Sequence, residues 1–177
     1  MIALVFCGDL KYCPYIKRYI ERMDLNGVDY TVYFWNRSGL KLELPNNYKY
    51  YDSKSDLRKG KISKFLDFIG FRYWVLKEFK KDVPDRFISL STLSGVLLGK
   101  KLYSKKSKYI FDIRDYSYEH IKPFFAIEKK LVENSYFTAI SSKGFINFLP
   151  KHEYVIAHNF NRQDIIENAA FKKHDGK

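Results

Sequence analysis

Short apolar runs that stop abruptly at polar residues recur along this chain, with helical stretches between them. The first run covers residues 2–7 and is continuously apolar, which is typical of a strand covered on both faces. Later runs at residues 109–113, 137–140 and 154–157 end in the same way. This alternation predicts an α/β fold: an open, mainly parallel, Rossmann-like sheet with helices on both faces.

A βαβ unit is predicted at the start of the chain. Pro14 suits the first turn of a helix, and an apolar stripe continues that helix to Met23. A second strand at residues 30–35 then lies parallel to the first through a right-handed crossover. The other predicted strands are 48–51 and 86–90, and the other predicted helices are 62–79, 95–102, 121–134 and 143–149.

The chain is strongly basic. Its 177 residues fit one domain and carry 32 basic against 20 acidic side chains, a formal net charge of +12. Two interpretations are open: a polyanionic or anionic-membrane partner, or a solvated lysine-rich surface. We expect no nucleic-acid partner, because most aromatic residues fall at core spacing rather than along a basic groove.

Cysteine and histidine usage predicts no metal site. Cys7 and Cys13 have neither a metal-binding nor a redox spacing, and the four histidines have no neighbouring ligands that suggest a metal. We expect no signal peptide at residues 1–6 and no membrane span, which needs roughly 18 apolar residues. These expectations place the protein in the cytoplasm.

An ordered set of short motifs carries a family resemblance. Their sequences are Pro-Asp-Arg-Phe-Ile-Ser at 84–89, Ser-Gly-Val-Leu-Leu-Gly at 94–99, a strand ending in Arg-Asp-Tyr at 109–116, Ile-Glu-Lys-Lys-Leu at 127–131, Ala-Ile-Ser-Ser at 139–142 and Ile-Ala-His-Asn-Phe at 156–160. In order and spacing they resemble the N-terminal, acceptor-side domain of a GT-B glycosyltransferase, most like glycosyltransferase family 4. The resemblance spans residues 1–161.

The resemblance implies one half of a bacterial-type enzyme. The full enzyme would transfer a sugar from a nucleotide-sugar donor to a polysaccharide or lipid-linked acceptor, with the nucleotide-sugar as co-substrate and no cofactor. A metal-independent mechanism is expected, because the chain has no Asp-x-Asp pair. Residues 162–177 are predicted to be a tail towards a missing C-terminal donor-binding domain, so this chain is expected to be inactive alone.

Two groups of candidate site residues follow the predicted strands. Gly8, Asp9 and Lys11 lie after the first strand at a predicted helix start, where backbone N–H groups favour anions, and the alternative is an ordinary strand-to-helix turn. Arg114 and Asp115 end a central strand. Arg114 suits a phosphate and Asp115 an acceptor hydroxyl or a base role, and the alternative is an ion network with Asp112.

Other strand ends add polar candidates. Ser91 and Thr92 either contact an acceptor or cap the next helix, and Ser141 has the same two interpretations. By resemblance, His158 and Asn159 face the cleft between the two domains. Departures from the family are the single Gly8 in place of a glycine-rich loop, Phe160 where the family has Gly, and Arg114 where many relatives have His.

The helix predicted at 62–79 has a core stripe at residues 62, 65, 66, 69, 73 and 76. Phe71 and Trp74 fall outside this stripe, near Lys64, Lys77 and Lys81. Basic residues with aromatic wedges are typical of an interfacial helix, so one hypothesis is peripheral docking on the inner face of an anionic membrane. The alternative is packing against residues 40–58.

A different class of function stays open. The alternative is a stand-alone Rossmann- or flavodoxin-like module that binds or regulates while docked on an anionic membrane or polyanion. Such a module needs a complete phosphate loop, and the sequence contains neither Gly-x-Gly-x-x-Gly nor Gly-Lys-Ser/Thr. The glycosyltransferase hypothesis is therefore preferred.

Overall fold

Seven parallel strands form a single sheet in the computed structural model, which describes residues 1–41, 43–53 and 60–158. The strands are β1 (Ile2–Phe6), β2 (Tyr30–Asn36), β3 (Tyr48–Asp52), β4 (Arg86–Ser89), β5 (Tyr109–Ile113), β6 (Phe137–Ile140) and β7 (Tyr154–Ile156). Their order across the sheet is β3-β2-β1-β4-β5-β6-β7, and every neighbouring pair is parallel. The predicted open, Rossmann-like α/β sheet is confirmed.

Helices cover both faces of the sheet. They are α1 (Ile16–Leu25), α2 (Lys61–Asp82), α3 (Thr92–Leu98), α4 (Lys100–Tyr103) and α5 (Lys122–Asn134), with 3-10 turns at Leu10–Tyr12 and Lys143–Asn147. Helix α1 packs on the face formed by residues such as Leu4 and Val32. Helices α2 to α5 pack on the opposite face, against residues such as Val5 and Phe111.

Two helix starts differ from the predictions. Helix α1 begins at Ile16, after the 3-10 turn, so Gly8 and Lys11 are not at the start of an α-helix. Helix α3 begins at Thr92 because the Ser91 hydroxyl accepts a hydrogen bond from the Ser94 N–H, and Gly99 separates it from α4 with a φ of 45°.

The core stripe predicted for α2 is wrong. Five of its six members are exposed: Ile62, Phe65, Leu66, Ile69 and Tyr73. The face that packs on the sheet instead carries Phe71, Val75 and Phe79. Apolar residues surround this helix, so periodicity alone does not select the buried side. Aromatic strand residues select it: the Phe71 ring stacks on Trp35 with ring centroids 5.8 Å apart.

The residues predicted to dock on a membrane therefore do not form one exposed face. Phe71 is 1% exposed, and Trp74 is half-buried against Tyr33 and Tyr51. Lys64 is half-buried, and Lys81 is exposed but forms an ion pair with Glu78. Because Tyr51 belongs to the segment 40–58, the alternative interpretation, packing against that segment, is the one that the structure supports.

Candidate functional site at the carboxyl edge of the sheet

The chain order of the strands reverses between β1 and β4 at the centre of the sheet. From there β1 leads to α1 on one face, and β4 leads to α3 on the other. In open parallel sheets, loops that diverge in this way leave a ligand-binding crevice outside the carboxyl ends of the strands. The predicted site residues follow β1, β4, β5, β6 and β7 and line this edge, except that Asn159 is outside the described residues.

A serine bridge joins the end of β1 to the start of α3 at the carboxyl edge. The Ser94 hydroxyl accepts a hydrogen bond from the Cys7 N–H at 2.8 Å, which joins the end of β1 to α3. Ser91 and Ser94 hydroxyls are 2.7 Å apart, and Ser91 caps α3, so its capping interpretation is confirmed. Thr92 is buried and donates to the backbone carbonyl of Asp115 at 3.4 Å. Thr92 thus positions the β5 exit and does not face the crevice.

The loop after β1 is held by its own acidic residue. The Asp9 carboxylate accepts hydrogen bonds from the backbone N–H groups of Arg37 and Ser38 at 3.0 and 3.3 Å. Its negative charge disfavours phosphate at this position. Lys11 is exposed, with its ammonium 4.9 Å from the centre of the Tyr12 ring. The geometry of Gly8, Asp9 and Lys11 is therefore that of the ordinary turn rather than an anion cradle.

Arg114 lies in a buried charge cluster. It is 6% exposed, and its guanidinium forms an ion pair with Asp112 through contacts of 2.6 and 2.7 Å. The Tyr19 hydroxyl donates to the same carboxylate at 2.8 Å, and the Tyr15 ring centre is 4.1 Å from the guanidinium carbon. Burial raises the pKa of Asp112, and Arg114 and Tyr19 oppose that rise. This is the ion network left open by the sequence, but without Asp115.

Backbone contacts connect Arg114 to the last two strands. Arg114 donates to the carbonyl of Ala157, and the Ser141 hydroxyl donates to the carbonyl of Arg114 at 2.8 Å. The His158 Nδ1 lies 3.0 Å from the Ser141 carbonyl. The structure therefore brings Arg114, Ser141 and His158 together. Arg114 and Ser141 fix the ends of the strands, whereas His158 is exposed at the carboxyl edge.

Asp115 is the predicted residue best placed to contact a ligand. It is the second residue after β5, is exposed, and uses its backbone carbonyl, not its carboxylate, in the contact with Thr92. A carboxylate accepts hydrogen bonds from hydroxyl groups and can also take up a proton. Asp115 and His158 are thus the ligand-facing candidates, and Arg114 is a positioning residue.

Sequence reasoning missed Arg37 at the end of β2. Its guanidinium carbon lies 4.2 Å from the Trp35 ring centre, and it donates to the Cys7 carbonyl at 3.0 Å. This contact fixes a cation beside the β1 loop. Burial raises the pKa of the neighbouring Cys7 thiol to about 12, and Arg37 opposes that rise. The available signal was the position of Arg37 directly after a strand.

A buried pair of glutamates was also missed. Glu119 and Glu128 are buried, and the oxygens of both carboxyl groups have no hydrogen-bond partner within the described part of the chain. Burial raises the pKa of Glu128 to about 8, and the charge of Glu119 adds to the rise. Sequence could not locate this pair, because Glu128 sits in a charged helical stretch that looks solvent-exposed.

A shallow cavity of about 430 Å³ lies at the other end of the sheet. Its lining includes Met1, Met23, Tyr30 and Asn47, near the starts of β1 and β2. None of the predicted site residues borders it. This cavity is therefore separate from the carboxyl-edge crevice.

Within residues 1–41, 43–53 and 60–158, no group of three or more His, Cys, Asp or Glu side chains is arranged to hold a metal ion. None of the helices in those ranges is long and apolar enough to cross a membrane.

A scan of protein-family models and a search of curated proteins found no match for this chain. Function is therefore inferred from the fold and the carboxyl-edge residues.

Proposed function

We propose that this chain is the acceptor-side domain of a GT-B-type glycosyltransferase. The full enzyme would move a sugar from a nucleotide-sugar to a polysaccharide or lipid-linked acceptor without a metal. One observation carries the proposal: a fully parallel sheet, ordered β3-β2-β1-β4-β5-β6-β7, gathers Asp115 and His158 at its carboxyl edge. Ligands of open α/β sheets bind at this edge.

The exposed groups at the edge suit a hydroxyl-rich acceptor. The Asp115 carboxylate can orient an acceptor hydroxyl, and the His158 ring can exchange hydrogen bonds with a second one. The nearby cations are less available, because Arg114 is committed to Asp112 and Arg37 contacts Cys7. The fixed positive charge that stabilises a departing diphosphate would therefore come mainly from a donor-binding domain.

Titration calorimetry with a panel of UDP- and GDP-sugars tests this division of roles. The chain alone is expected to bind them weakly and to show no transfer. Sub-micromolar binding by the isolated chain would contradict the proposal. A second test is the coding sequence after Lys177, or a neighbouring reading frame, which should encode another α/β domain.

Acceptor binding is tested by nuclear magnetic resonance. Short oligosaccharides added to the ¹⁵N-labelled chain should shift the backbone amide signals of Gly8, Asp115 and His158. The matched variants are Asp115→Asn, which should weaken these shifts, and Asp67→Asn on α2, which should not. Shifts confined to the cavity around Met23 and Tyr30 would place the ligand elsewhere and overturn the proposal.

A further inference from the structure

Helix α2 has a second apolar face that no other described element covers. Its five members, here called the outer stripe, are 45–79% exposed: Ile62, Phe65, Leu66, Ile69 and Tyr73. The opposite face of the same helix is packed on the sheet through Phe71, Val75 and Phe79. A helix that is apolar on all sides is normally buried on all sides. The outer stripe therefore has the composition of a contact surface.

The outer stripe is continuous along the helix. Its members follow one another at spacings of three, one, three and four residues, which places them on one side of an α-helix. From Ile62 to Tyr73 the stripe is about 16 Å long at 1.5 Å per residue. Further along that side lie Leu76, which is half-buried and packs against the core, and the exposed Lys77 and Lys80. Apolar and cationic side chains thus form one surface.

Charge is segregated across α2. Its three acidic residues, Asp67, Glu78 and Asp82, are buried or half-buried. Lys49 of β3 pairs with Glu78 at 3.4 Å and with Asp82 at 2.7 Å, so these two carboxylates are directed towards the sheet. The exposed charged residues of the described α2 side chains are Arg72, Lys77, Lys80 and Lys81, all basic. The outward surface is therefore apolar and positive.

We propose that the outer stripe, with Lys77 and Lys80, docks on an anionic lipid bilayer. Apolar side chains beside lysines are the pattern of helices that lie in the membrane interface, with the apolar face inserted and the lysines among lipid headgroups. The chain's net charge of +12 attracts it to such a surface and disfavours pairing with a second, equally positive copy. This surface differs from the one that the sequence predicted around Phe71 and Trp74.

Docking would bring the crevice close to the bilayer. Helix α2 starts after the carboxyl end of β3 and returns to the start of β4, so its first turns lie at the carboxyl edge. The contacts between α2 and β2 support this direction. Phe68 packs on Trp35 near the carboxyl end of β2, whereas Asp82, at the end of α2, accepts a hydrogen bond from Tyr33, which is nearer the start of β2. No crevice residue belongs to the docking surface, so this proposal stands or fails independently of sugar transfer.

Vesicle flotation of the full chain tests the proposal. The chain should float with vesicles of phosphatidylcholine plus phosphatidylglycerol and much less with phosphatidylcholine alone, and added salt should reduce binding. The triple variant Phe65→Ser, Leu66→Ser, Ile69→Ser should lose at least about tenfold in vesicle affinity, because inserted apolar area drives interfacial binding. Its control is Leu25→Ser with Tyr136→Ser, two exposed apolar residues outside α2.

Charge is tested by a matched pair of reversals. Lys77→Glu with Lys80→Glu should lower affinity by at least about tenfold, from roughly 1 kcal/mol per basic residue near an anionic surface. Lys17→Glu with Lys151→Glu changes the net charge by the same amount at exposed positions outside the docking surface. This control should lower the vesicle affinity much less.

Three outcomes overturn the proposal. The first is that the wild-type chain does not float at low salt, and the second is that the triple variant floats equally well. The third is that the wild-type chain is a dimer, the triple variant is a monomer, and neither binds vesicles. Circular dichroism establishes that each variant is folded. Since the outer stripe is exposed, the serine substitutions leave the core intact, so a loss of flotation by a folded triple variant supports the bilayer as the occupant.

Discussion

Single buried charges hold the carboxyl edge in place. The Asp112 carboxylate forms an ion pair with Arg114, just after the same strand, and accepts a hydrogen bond from Tyr19 of α1. Arg114 also donates a hydrogen bond to the Ala157 carbonyl, which follows β7. One ion pair therefore ties together β5, α1 and the end of the sheet. Burying two charges is costly, and their mutual attraction together with the hydrogen bond from Tyr19 opposes that cost.

Replacing Asp112 should lower the free energy of unfolding of the chain, whereas replacing Asp115 should not. Asp112→Asn leaves the buried Arg114 without its counter-charge, so we expect a loss of about 3–5 kcal/mol in the free energy of unfolding. Asp115→Asn changes an exposed carboxylate and should alter stability little. Urea unfolding followed by circular dichroism measures both. Equal stabilities of the two variants would contradict a structural role for the Asp112–Arg114 pair.

Glu128 should make stability depend on pH. Its pKa is raised from 4.5 to about 8, so between these values the folded chain retains a proton that the unfolded chain releases. The free energy of unfolding therefore falls as the pH rises from 4.5 to about 8, and the full loss is present above that range. The size of the effect is on the order of several kcal/mol.

Glu128→Gln removes this titration and should increase the urea midpoint at the alkaline end while flattening the pH profile. The control is Glu133→Gln, an exposed glutamate on the same helix, which should reproduce the wild-type profile. Urea midpoints measured across the pH range test the prediction. A Glu128→Gln profile as steep as that of the wild-type chain would contradict it.

At the scale of elements, α2 shows how a strand can decide which side of a helix is buried. Helix α2 offers two apolar faces, and the sheet accepts the one that carries Phe71 because Trp35 and Tyr51 provide flat aromatic partners. Such aromatic pairs contribute about 0.5–1.5 kcal/mol beyond the burial of area. The other face is left at the surface.

Truncating one aromatic residue on each face of α2 tests this orientation. Phe71→Ala should cost about 3–5 kcal/mol in the free energy of unfolding, because it leaves a cavity in the core. Phe65→Ala, at a side chain 63% exposed, should cost less than about 0.5 kcal/mol. Urea unfolding without lipid distinguishes them, and the reverse order of costs would mean that α2 packs through its outer stripe.

At the scale of the whole molecule, a net charge of +12 accompanies a sheet with a single central switch point. The positive charge draws the chain to anionic surfaces in general, whereas the apolar outer stripe offers a contact that a bilayer can make and a nucleic-acid backbone cannot. Nucleic-acid binding through stacking needs a row of accessible rings. Many of the large rings, including Tyr33, Trp35 and Phe111, are instead fully buried.

Single-stranded DNA and anionic vesicles should therefore be bound differently. We expect fluorescence anisotropy with a labelled oligonucleotide to show weak binding that salt abolishes, since it depends on charge alone. Vesicle binding at the same ionic strength should persist in part, because the apolar contribution is not screened. Oligonucleotide binding as tight and as salt-resistant as vesicle binding would contradict this ranking.

The alternation of strands and helices, the parallel sheet and the strand-end positions of Asp115 and His158 were predictable from sequence, because each depends on a local pattern of apolar and polar residues. Only the tertiary structure decided which face of α2 is buried and that Arg114 pairs with Asp112. The same holds for the burial of Glu128 beside Glu119. These outcomes depend on the surroundings that other elements supply, such as Trp35 and Tyr51 beside α2 and Tyr19 beside the Asp112–Arg114 pair. Residue spacing within one segment carries no information about those surroundings.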